Sequence, residues 1–274
     1  MNLPDPTTQA PATHVRAASR ADVTRTLPEE TAVAMVYGGS TQAVMMATPA
    51  DLEDFAVGFS LTEGIVTDPA QIERLEVLAH PRGVEAQMWI ADDRTDALAA
   101  RRRFMAGPVG CGLCGIDSLE EAVRALPDLS GAGPVLDASQ IARATDDLRG
   151  WQPLHDRTRA VHAAGFMIPG RGIVLAREDV GRHNALDKLI GAMARQGMDS
   201  GQGAFVLTSR VSVEMVQKCA LAGGAVLIAV SAPTAHALRL AQGAGITLAA
   251  FARGEGFDLF SHPERLRAEV SDVA

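Results

Sequence analysis

Two of the chain's three cysteines, Cys111 and Cys114, lie in the glycine-rich stretch GPVGCGLCGID, which spans residues 107–117. Glycines on both sides of the thiols predict a loop with unusual backbone freedom. A pair of thiols can ligate a metal ion, cycle as a redox dithiol, or carry a sulfur atom or an acyl group. Each chemistry needs a different setting, so the surrounding sequence helps to distinguish between them.

Zinc binding is the first alternative. A closed structural site usually takes four ligands, whereas one C-x-x-C motif supplies two. The third cysteine, Cys219, falls within a predicted helix, where we expect a small buried apolar side chain. Deaminase zinc sites place a His-x-Glu motif before Pro-Cys-x-x-Cys, but here Ala164 stands where the glutamate would be and the cysteines come first. We therefore predict no metal site and keep a zinc-binding deaminase relative as the weakest alternative.

A carrier role fits the cysteine motif better than a redox couple. A thioredoxin-type dithiol opens a helix directly after a strand, and no strand is predicted before Cys111. A carrier thiol must reach two different active sites, which a mobile loop over residues 105–116 would allow. The helix predicted from Ser118 would place its positive end near Cys114 and favour the thiolate. A second thiol could then release bound sulfur, as in disulfide exchange.

The rest of the chain divides into three predicted parts. Residues 1–26 have no basic segment followed by an apolar core, which predicts a disordered tail instead of a signal peptide. Residues 27–133 predict an N-terminal α+β part that carries the cysteine loop. Residues 134–268 predict an α/β domain, in which three strand–loop–helix units are typical of a largely parallel sheet.

Polar loops follow the predicted strands of the α/β domain. Ligands of open α/β sheets bind at the carboxyl ends of the strands, where helix N-termini favour phosphate. Arginine adds paired donors for phosphate oxygens. The sequence has neither a Walker A motif nor G-x-G-x-x-G, so ATP and NAD are poor candidates. On this argument Arg182, His183 and Arg210 are candidate binding residues, although they could equally hold the loops together through hydrogen bonds.

The composition restricts the class of partner. The formal net charge of −8 argues against a nucleic-acid-binding protein. No apolar run reaches the length of a membrane-spanning helix. Few cysteines and no secretory signal indicate a reducing compartment, so we expect a cytoplasmic location. Lys188 and Lys218 are the only lysines, and a GC-rich genome would explain the excess of arginine.

Several stretches, in order, resemble the formate dehydrogenase accessory sulfurtransferase family. They are VMMATPADLEDFAVGFSLTEGIV, GCGLCG, AREDVGRHNALDKLIG, TSRVSVEMVQKCALAG, VSAPTAHALRLA and GITLAAFARG. The resemblance extends from about Glu29 to Arg267 and leaves out only the two tails. The set in this order is far more specific than any one of its motifs.

The resemblance implies a function. Such proteins accept sulfur from a cysteine desulfurase as a persulfide and pass it to the molybdenum or tungsten bis-guanine-dinucleotide cofactor that formate dehydrogenase needs. By similarity, Cys111 would carry the persulfide and Cys114 would assist. The desulfurase and formate dehydrogenase are the expected partners, and relatives suggest a homodimer. The alternative is a chaperone that binds the molybdenum cofactor without catalysing sulfur transfer.

The resemblance also implies a fold and a cofactor-binding segment. The expected fold is a cytidine-deaminase-like three-layer sandwich with a largely parallel sheet and a smaller N-terminal α+β part. The family's cofactor-binding segment matches FARGEG, which consists of Phe251, Ala252, Arg253, Gly254, Glu255 and Gly256. Relatives often carry a second basic residue where this chain has EGFD. We therefore expect Glu255 and Asp258 to weaken the attraction for phosphate.

Overall fold

The structure is a computed structural model that describes residues 2–91 and 125–267. The first range contains β1 (Thr7–Arg16), β2 (Ser19–Pro28), β3 (Thr31–Tyr37), β4 (Ser40–Ala47), α1 (Leu52–Thr62), β5 (Ile72–His80) and β6 (Gly83–Ile90). The second contains β7 (Leu136–Asp137), α2 (Ala138–Arg149), α3 (Pro153–Thr158), β8 (His162–Ile168), β9 (Gly172–Asp179), α4 (Arg182–Arg195), β10 (Ala204–Leu207), α5 (Val213–Leu221), β11 (Val226–Ala229), α6 (Ala235–Gly243), β12 (Thr247–Arg253), β13 (Gly256–Ser261) and β14 (Leu266–Arg267).

The stretch predicted as a disordered tail, 1–26, instead forms most of a hairpin. Strands β1 and β2 pair antiparallel along their whole length, from Thr7 opposite Pro28 to Arg16 opposite Ser19. Most of their side chains are exposed, and the pair joins no other strand of the described residues. The low hydrophobicity suggested disorder, but Thr and Val recur along both strands, and these β-branched residues favour extended backbone.

The N-terminal part is a four-stranded sheet covered by one helix. Its strand order is β4-β3-β6-β5, and β3 and β6 run parallel. Every second side chain of β6 is buried, from Val84 to Ile90, because successive residues of a strand point to opposite faces. These side chains pack with Phe55 and Phe59 of α1 in one core.

The C-terminal domain is built on a six-stranded sheet in the order β13-β12-β11-β10-β8-β9. Strands β10, β11 and β12 are parallel neighbours, whereas β8–β9, β8–β10 and β12–β13 pair antiparallel. The sheet is therefore mixed, and the expectation of a largely parallel sheet is wrong. The reason is that the turn at Gly170–Gly172 folds β9 back on β8, which leaves β8 between β9 and β10.

Helices cover both faces of this sheet, so the domain has three layers. Phe205, Leu207 and Leu227 pack on one face, in a core with residues of α4, α5 and α6. Val206 and Ile228 point to the opposite face and pack against α2. This alternation follows from the two-residue period of a strand. The likeness to cytidine deaminases stays a prediction.

The two parts meet where α1 crosses α4. A Cβ atom on Gly58 of α1 would lie 1.8 Å from the backbone oxygen of Asp187, and one on Gly191 of α4 would lie 1.9 Å from that of Asp54. Only glycine therefore allows the two backbones to approach this closely. The crossing fixes the position of the N-terminal part against the middle of α4, the longest described helix of the C-terminal domain.

Residues 125–133 pack with the C-terminal domain, although the sequence assigned residues 27–133 to the N-terminal part. The Leu129 N–H donates to the Ala244 carbonyl at 2.9 Å, and the buried Arg265 donates from Nε to the Ala132 carbonyl at 2.6 Å. Cys111, Cys114, the loop at 105–116 and the helix predicted from Ser118 lie outside the described residues. Within the described ranges, no helix is both long and apolar enough to cross a membrane.

Candidate functional site

A cleft of about 620 Å³ opens at one edge of the six-stranded sheet. Strands β10, β11 and β12 end there, and Thr208, Val230 and Arg253 at their ends line it. The first residue of the antiparallel strand β8, His162, lies at the same edge. The C-terminal half of α2 and the short helix α3 form the remaining walls. The carboxyl ends of parallel strands are the usual ligand-binding edge of such sheets.

Three arginines line the cleft, Arg149, Arg159 and Arg253, and they outnumber its one carboxylate, Asp146. Arg149 also forms an ion pair with Asp156, while its Nη1 is buried and has no hydrogen-bond partner. The hydrogen bond from Arg149 holds the pKa of Asp156 below its usual value. Among the described residues, no carboxylate lies within ion-pair distance of Arg253. Arginine donors left free in this way suit phosphate oxygens.

The segment that carries Arg253 is held in an unusual conformation. Phe251 has a φ of 54°, in the left-handed region that non-glycine residues rarely adopt, and Gly254 has a φ of 60°. The buried Ala252 accepts a 2.5 Å hydrogen bond from Thr145 Oγ1 through its carbonyl. The Gly254 N–H donates to Asp146 Oδ2 at 2.9 Å. These two contacts fix the predicted cofactor-binding segment to α2.

Of the predicted FARGEG residues, the structure brings Arg253 alone into the wall of the cleft. The Phe251 ring is 48% exposed and lies 6.3 Å from the ring of Phe260. Glu255 is exposed in the turn before β13, and Gly256, which is also exposed, is the first residue of β13. Asp258 pairs with Ala250 along β13 and is also exposed.

Two histidines lie in the cleft. His155 Nδ1 is 3.1 Å from the Val161 carbonyl, so this nitrogen carries the proton and donates it. Burial, followed by the nearby charge of Arg182, lowers the pKa of His162 from its usual 6.5. His162 is therefore neutral at pH 7 and can accept as well as donate a hydrogen bond.

Glu178 holds the helix that carries His155. Its carboxylate accepts hydrogen bonds from the backbone N–H groups of Leu154 and His155, each at 2.8 Å. Burial raises the pKa of Glu178 above its usual value in spite of these bonds. The sequence analysis missed α3, because its six residues are too few to show a helical period. The residue that could have indicated this helix is Pro153, because proline is favoured in the first turn of a helix.

Arg182, His183 and Arg210 do not line the cleft, although all three follow strands that end at its edge. Arg182 and His183 begin α4 just after Asp179, which pairs with the cleft residue His162 at the start of β8. Arg210 is exposed in the loop after β10. The cleft residues Arg149 and Arg159 were missed, because sequence spacing does not indicate that α2 and α3 fold over the strand ends.

A buried ion pair sets the position of α4. Lys188 Nζ lies 2.6 Å from Asp179 Oδ2, both side chains are fully buried, and Nζ also donates to the Thr48 carbonyl at 2.9 Å. Asp179 accepts further hydrogen bonds from the N–H groups of Thr48 and Gly181 and from Asn184 Nδ2. The motif REDVGRHNALDK thus joins the end of β9, the first turn of α4 and the N-terminal part.

A second buried group joins the two parts at Asp187, the residue of α4 just before Lys188. Lys218 Nζ lies 2.9 Å from Asp187 Oδ1 and 3.1 Å from Glu63 Oε1, and it donates to Thr62 Oγ1 at 2.9 Å. Burial alone would lower the pKa of Lys218, but the charges of Asp187 and Glu63 outweigh it and raise the pKa. The only two lysines of the chain are therefore both structural.

Metal binding by the described residues has no geometric support. Within residues 2–91 and 125–267, no three His, Cys, Asp or Glu side chains are grouped closely enough to hold a metal ion. Cys219 is buried on α5, and burial raises the pKa of its thiol. A thiol in this setting is neutral and unreactive.

The sequences of known proteins match this chain over most of its length. A "Sulfur carrier protein FdhD" of Agrobacterium fabrum is 53% identical over 254 residues, which is 93% of this chain and 94% of that protein. The protein of the same name in Brucella abortus is 53% identical over 242 residues, or 88% and 90% of the two chains.

One solved structure has a similar fold. It is the crystal structure of a protein described as a formate dehydrogenase accessory protein, from Desulfotalea psychrophila. The TM-score is 0.74 at 25% identity, and the match covers 97% of this chain and 100% of that one. The model of the FdhD/NarQ family matches residues 28–267. The chain therefore belongs to the FdhD/NarQ family.

Proposed function

We propose that this protein is a persulfide sulfurtransferase that serves formate dehydrogenase. The relatives named sulfur carrier proteins support sulfur transfer, and the likeness to an accessory protein of formate dehydrogenase supports this enzyme as the beneficiary. The observation that carries the proposal furthest is the arginine-lined cleft at the strand ends, because it suits the phosphates of a guanine-dinucleotide cofactor.

The cysteines would receive sulfur from a cysteine desulfurase. The Cys111 thiolate attacks the outer sulfur of the desulfurase's cysteine persulfide, and the S–S bond there breaks. The electron pair of that bond leaves with the desulfurase thiolate, so Cys111 becomes a persulfide without any net oxidation. This exchange follows the rules of thiol–disulfide chemistry, in which the thiolate is the nucleophile.

Release of the sulfur as sulfide needs two electrons. The oxidation of Cys111 and Cys114 to a disulfide would provide them. The Cys114 thiolate attacks the inner sulfur of the Cys111 persulfide and forms a Cys111–Cys114 disulfide. Hydrosulfide leaves with the electron pair of the broken bond and with the proton of the persulfide. The molybdenum or tungsten bis-guanine-dinucleotide cofactor is the substrate that takes up this sulfur.

In the cleft, this chain's own residues would hold the cofactor by its phosphates. Arg253 and the free Nη1 of Arg149 supply donors, and the neutral His162 adds a group that can accept or donate. The two hydrogen bonds from α2 to the FARGEG segment keep Arg253 in place. The cleft would thus orient the cofactor, while the cysteine segment delivers the sulfur.

Complementation separates this proposal from a chaperone that only binds the cofactor. Cells that lack the protein receive wild type, Cys111→Ala or Arg253→Gln, and formate dehydrogenase activity is measured at equal protein levels. The sulfurtransferase proposal expects both variants to lose activity. Full activity of Cys111→Ala would favour the chaperone, and full activity of Arg253→Gln would contradict a role for the cleft.

A further inference from the structure

One short segment supplies much of the cleft wall. Half of the described residues that line the cleft lie within residues 152–162, which contain α3 and the first residue of β8. Arg159, at the end of α3, has a φ of 59°, in the left-handed region that non-glycine residues rarely adopt. A helix of six residues is too short to be stable through its own hydrogen bonds. The shape of this wall therefore depends on the contacts that hold α3 from outside.

Two of these contacts come from the C-terminal domain. The Glu178 carboxylate of β9 accepts hydrogen bonds from the backbone N–H groups of Leu154 and His155. Asp156 forms an ion pair with Arg149 of α2. Both contacts act on the first four residues of the helix, before the turn that leads to Arg159.

The third contact comes from the β1–β2 hairpin. Arg157 Nη2 donates to Thr7 Oγ1 at 2.6 Å, and β2 packs against α3. Residues two apart lie on nearly opposite sides of a helix, since one turn takes 3.6 residues. Arg157 therefore binds the hairpin on the side of α3 that faces away from His155, which lines the cleft. The hairpin supports the cleft wall from behind.

The burial of the hairpin is concentrated in the half that meets α3. Residues 11–22 are all exposed, whereas Thr7, Thr26 and Pro28 at its base are half-buried. Within the described ranges the hairpin pairs with no other strand. A lone two-stranded hairpin is at best marginally stable in water. The contact thus stabilises two elements that are each marginal alone.

We infer that the β1–β2 hairpin is a positioning element of the cleft, and that Arg157, through Thr7, keeps His155 and Arg159 where they can reach a ligand's phosphates. The inference rests on the proposed function, which supplies such a ligand. Neither Thr7 nor Arg157 lines the cleft. Their effect on affinity is indirect, because a wall that is already held in place loses less freedom when the ligand binds.

Calorimetry with the full-length protein and GDP tests the inference. Thr7→Val removes the acceptor and Arg157→Met removes the donor, and each should weaken GDP binding roughly threefold, as expected for one hydrogen bond. The double variant should bind GDP no more weakly than Arg157→Met alone, because both changes break the same bond. Thr7→Ser keeps the hydroxyl and should bind GDP like wild type.

Thr13→Val is the matched control within the same strand. It also removes a threonine hydroxyl that makes one hydrogen bond, since Thr13 Oγ1 donates to Asp22 Oδ1 at 3.2 Å. Thr13 lies six residues farther along β1, roughly 20 Å from Thr7, in the exposed half of the hairpin. This variant should bind GDP like wild type.

Two backgrounds separate a positioning role from a general loss of stability. Thr7→Val should weaken GDP binding less in Arg159→Gln than in Arg253→Gln. The reason is that Arg159 ends α3, whereas the segment of Arg253 is held by α2. A general loss of stability would weaken binding equally in both backgrounds.

Hydrogen exchange of the protein without nucleotide measures the wall itself. The backbone N–H groups of Asp156 and Arg159 donate to the carbonyls of Gln152 and His155 at 2.9 and 2.7 Å. These two amides should exchange faster in Thr7→Val and Arg157→Met than in wild type or Thr13→Val.

The outcomes distinguish this inference from the proposed function. If wild type binds GDP, unchanged affinity in both Thr7→Val and Arg157→Met would overturn the inference, even if α3 exchanges faster. Equal weakening by Thr13→Val would also overturn it, because the effect would not pass through α3. A wild type that binds no GDP would contradict the proposed cofactor cleft instead. Unchanged exchange of α3 in the two variants would then still overturn the role of the hairpin.

Discussion

Arg253 is the residue of the predicted cofactor-binding segment on which we expect phosphate affinity to depend most directly. It lines the cleft, and no carboxylate of the described residues lies within ion-pair distance of it. The resemblance to a family pointed to its segment from sequence alone. The other cleft arginines could not be found in this way, because their position depends on how α2 and α3 fold over the strand ends. Glu255 and Asp258 are exposed but do not line the cleft, so we expect them to affect phosphate affinity only through longer-range repulsion.

Replacement of Arg253 should weaken nucleotide binding. We expect Arg253→Gln to lower the affinity for GDP roughly tenfold, since one charge-assisted contact to phosphate is lost. The difference should shrink as salt is added, because the contact is exposed. Arg171→Gln, at an exposed arginine in the turn between β8 and β9 at the opposite edge of the sheet, is the matched control. Equal affinity of the two variants would contradict this assignment.

His162 should make the stability of the protein sensitive to mild acid. Its pKa is lower in the folded state than its usual 6.5, because of burial and the charge of Arg182. Below pH 6.5 the unfolded chain therefore binds the proton more readily, and this contribution to stability is lost as the pH falls. Urea unfolding at pH 7.5 and pH 5.5 should show a smaller pH effect in His162→Gln than in wild type. An unchanged pH effect would mean that His162 has an ordinary pKa.

At the scale of elements, most helices and strands followed from local patterns. The alternation in β6, the Asp137 cap of α2 and the strand–loop–helix order of β10 to α6 were all visible in the sequence. Pairing partners were not, because the turn that folds β9 onto β8 and the turn that returns β13 to β12 decide the sheet order. The hairpin β1–β2 was missed because it contributes almost nothing to an apolar core.

The crossing of α1 and α4 should tolerate no side chain. Gly58→Ala and Gly191→Ala would each place a Cβ inside a backbone atom of the facing helix, so we expect each to cost more than about 3 kcal/mol of folding free energy. Gly243→Ala is the control, since it lies in α6 with no atom within 4 Å of the added carbon. It should be neutral or stabilise the protein by up to about 1 kcal/mol. Chemical denaturation measures all three, and a small loss at Gly58 would show that the helices can separate cheaply.

The buried pair Asp179–Lys188 should be essential for the position of α4. Lys188→Met leaves the Asp179 carboxylate uncompensated, and we expect a loss of about 3–5 kcal/mol. Arg74→Met breaks an exposed ion pair with Glu76 and should cost no more than about 1 kcal/mol. Similar losses for the two variants in urea denaturation would contradict the importance of burial.

At the scale of the whole molecule, charge is used in two separate ways. The chain has a net charge of −8, yet arginines gather at the one sheet edge that forms a cleft. Both lysines are buried between the N-terminal part and the C-terminal domain, where a compact ammonium group fits better than a guanidinium. A GC-rich genome would explain the excess of arginine, but it would not explain why these two lysines were kept.

Intact-protein mass spectrometry after incubation with a cysteine desulfurase and cysteine tests the central claim most directly. The sulfurtransferase account predicts that wild type gains the mass of one sulfur, that a reducing agent reverses the gain, and that Cys111→Ala shows none. Cys219→Ala is the control and should gain sulfur like wild type, because the Cys219 thiol is buried. Wild type that gains no sulfur, or Cys111→Ala that gains it normally, would contradict the account.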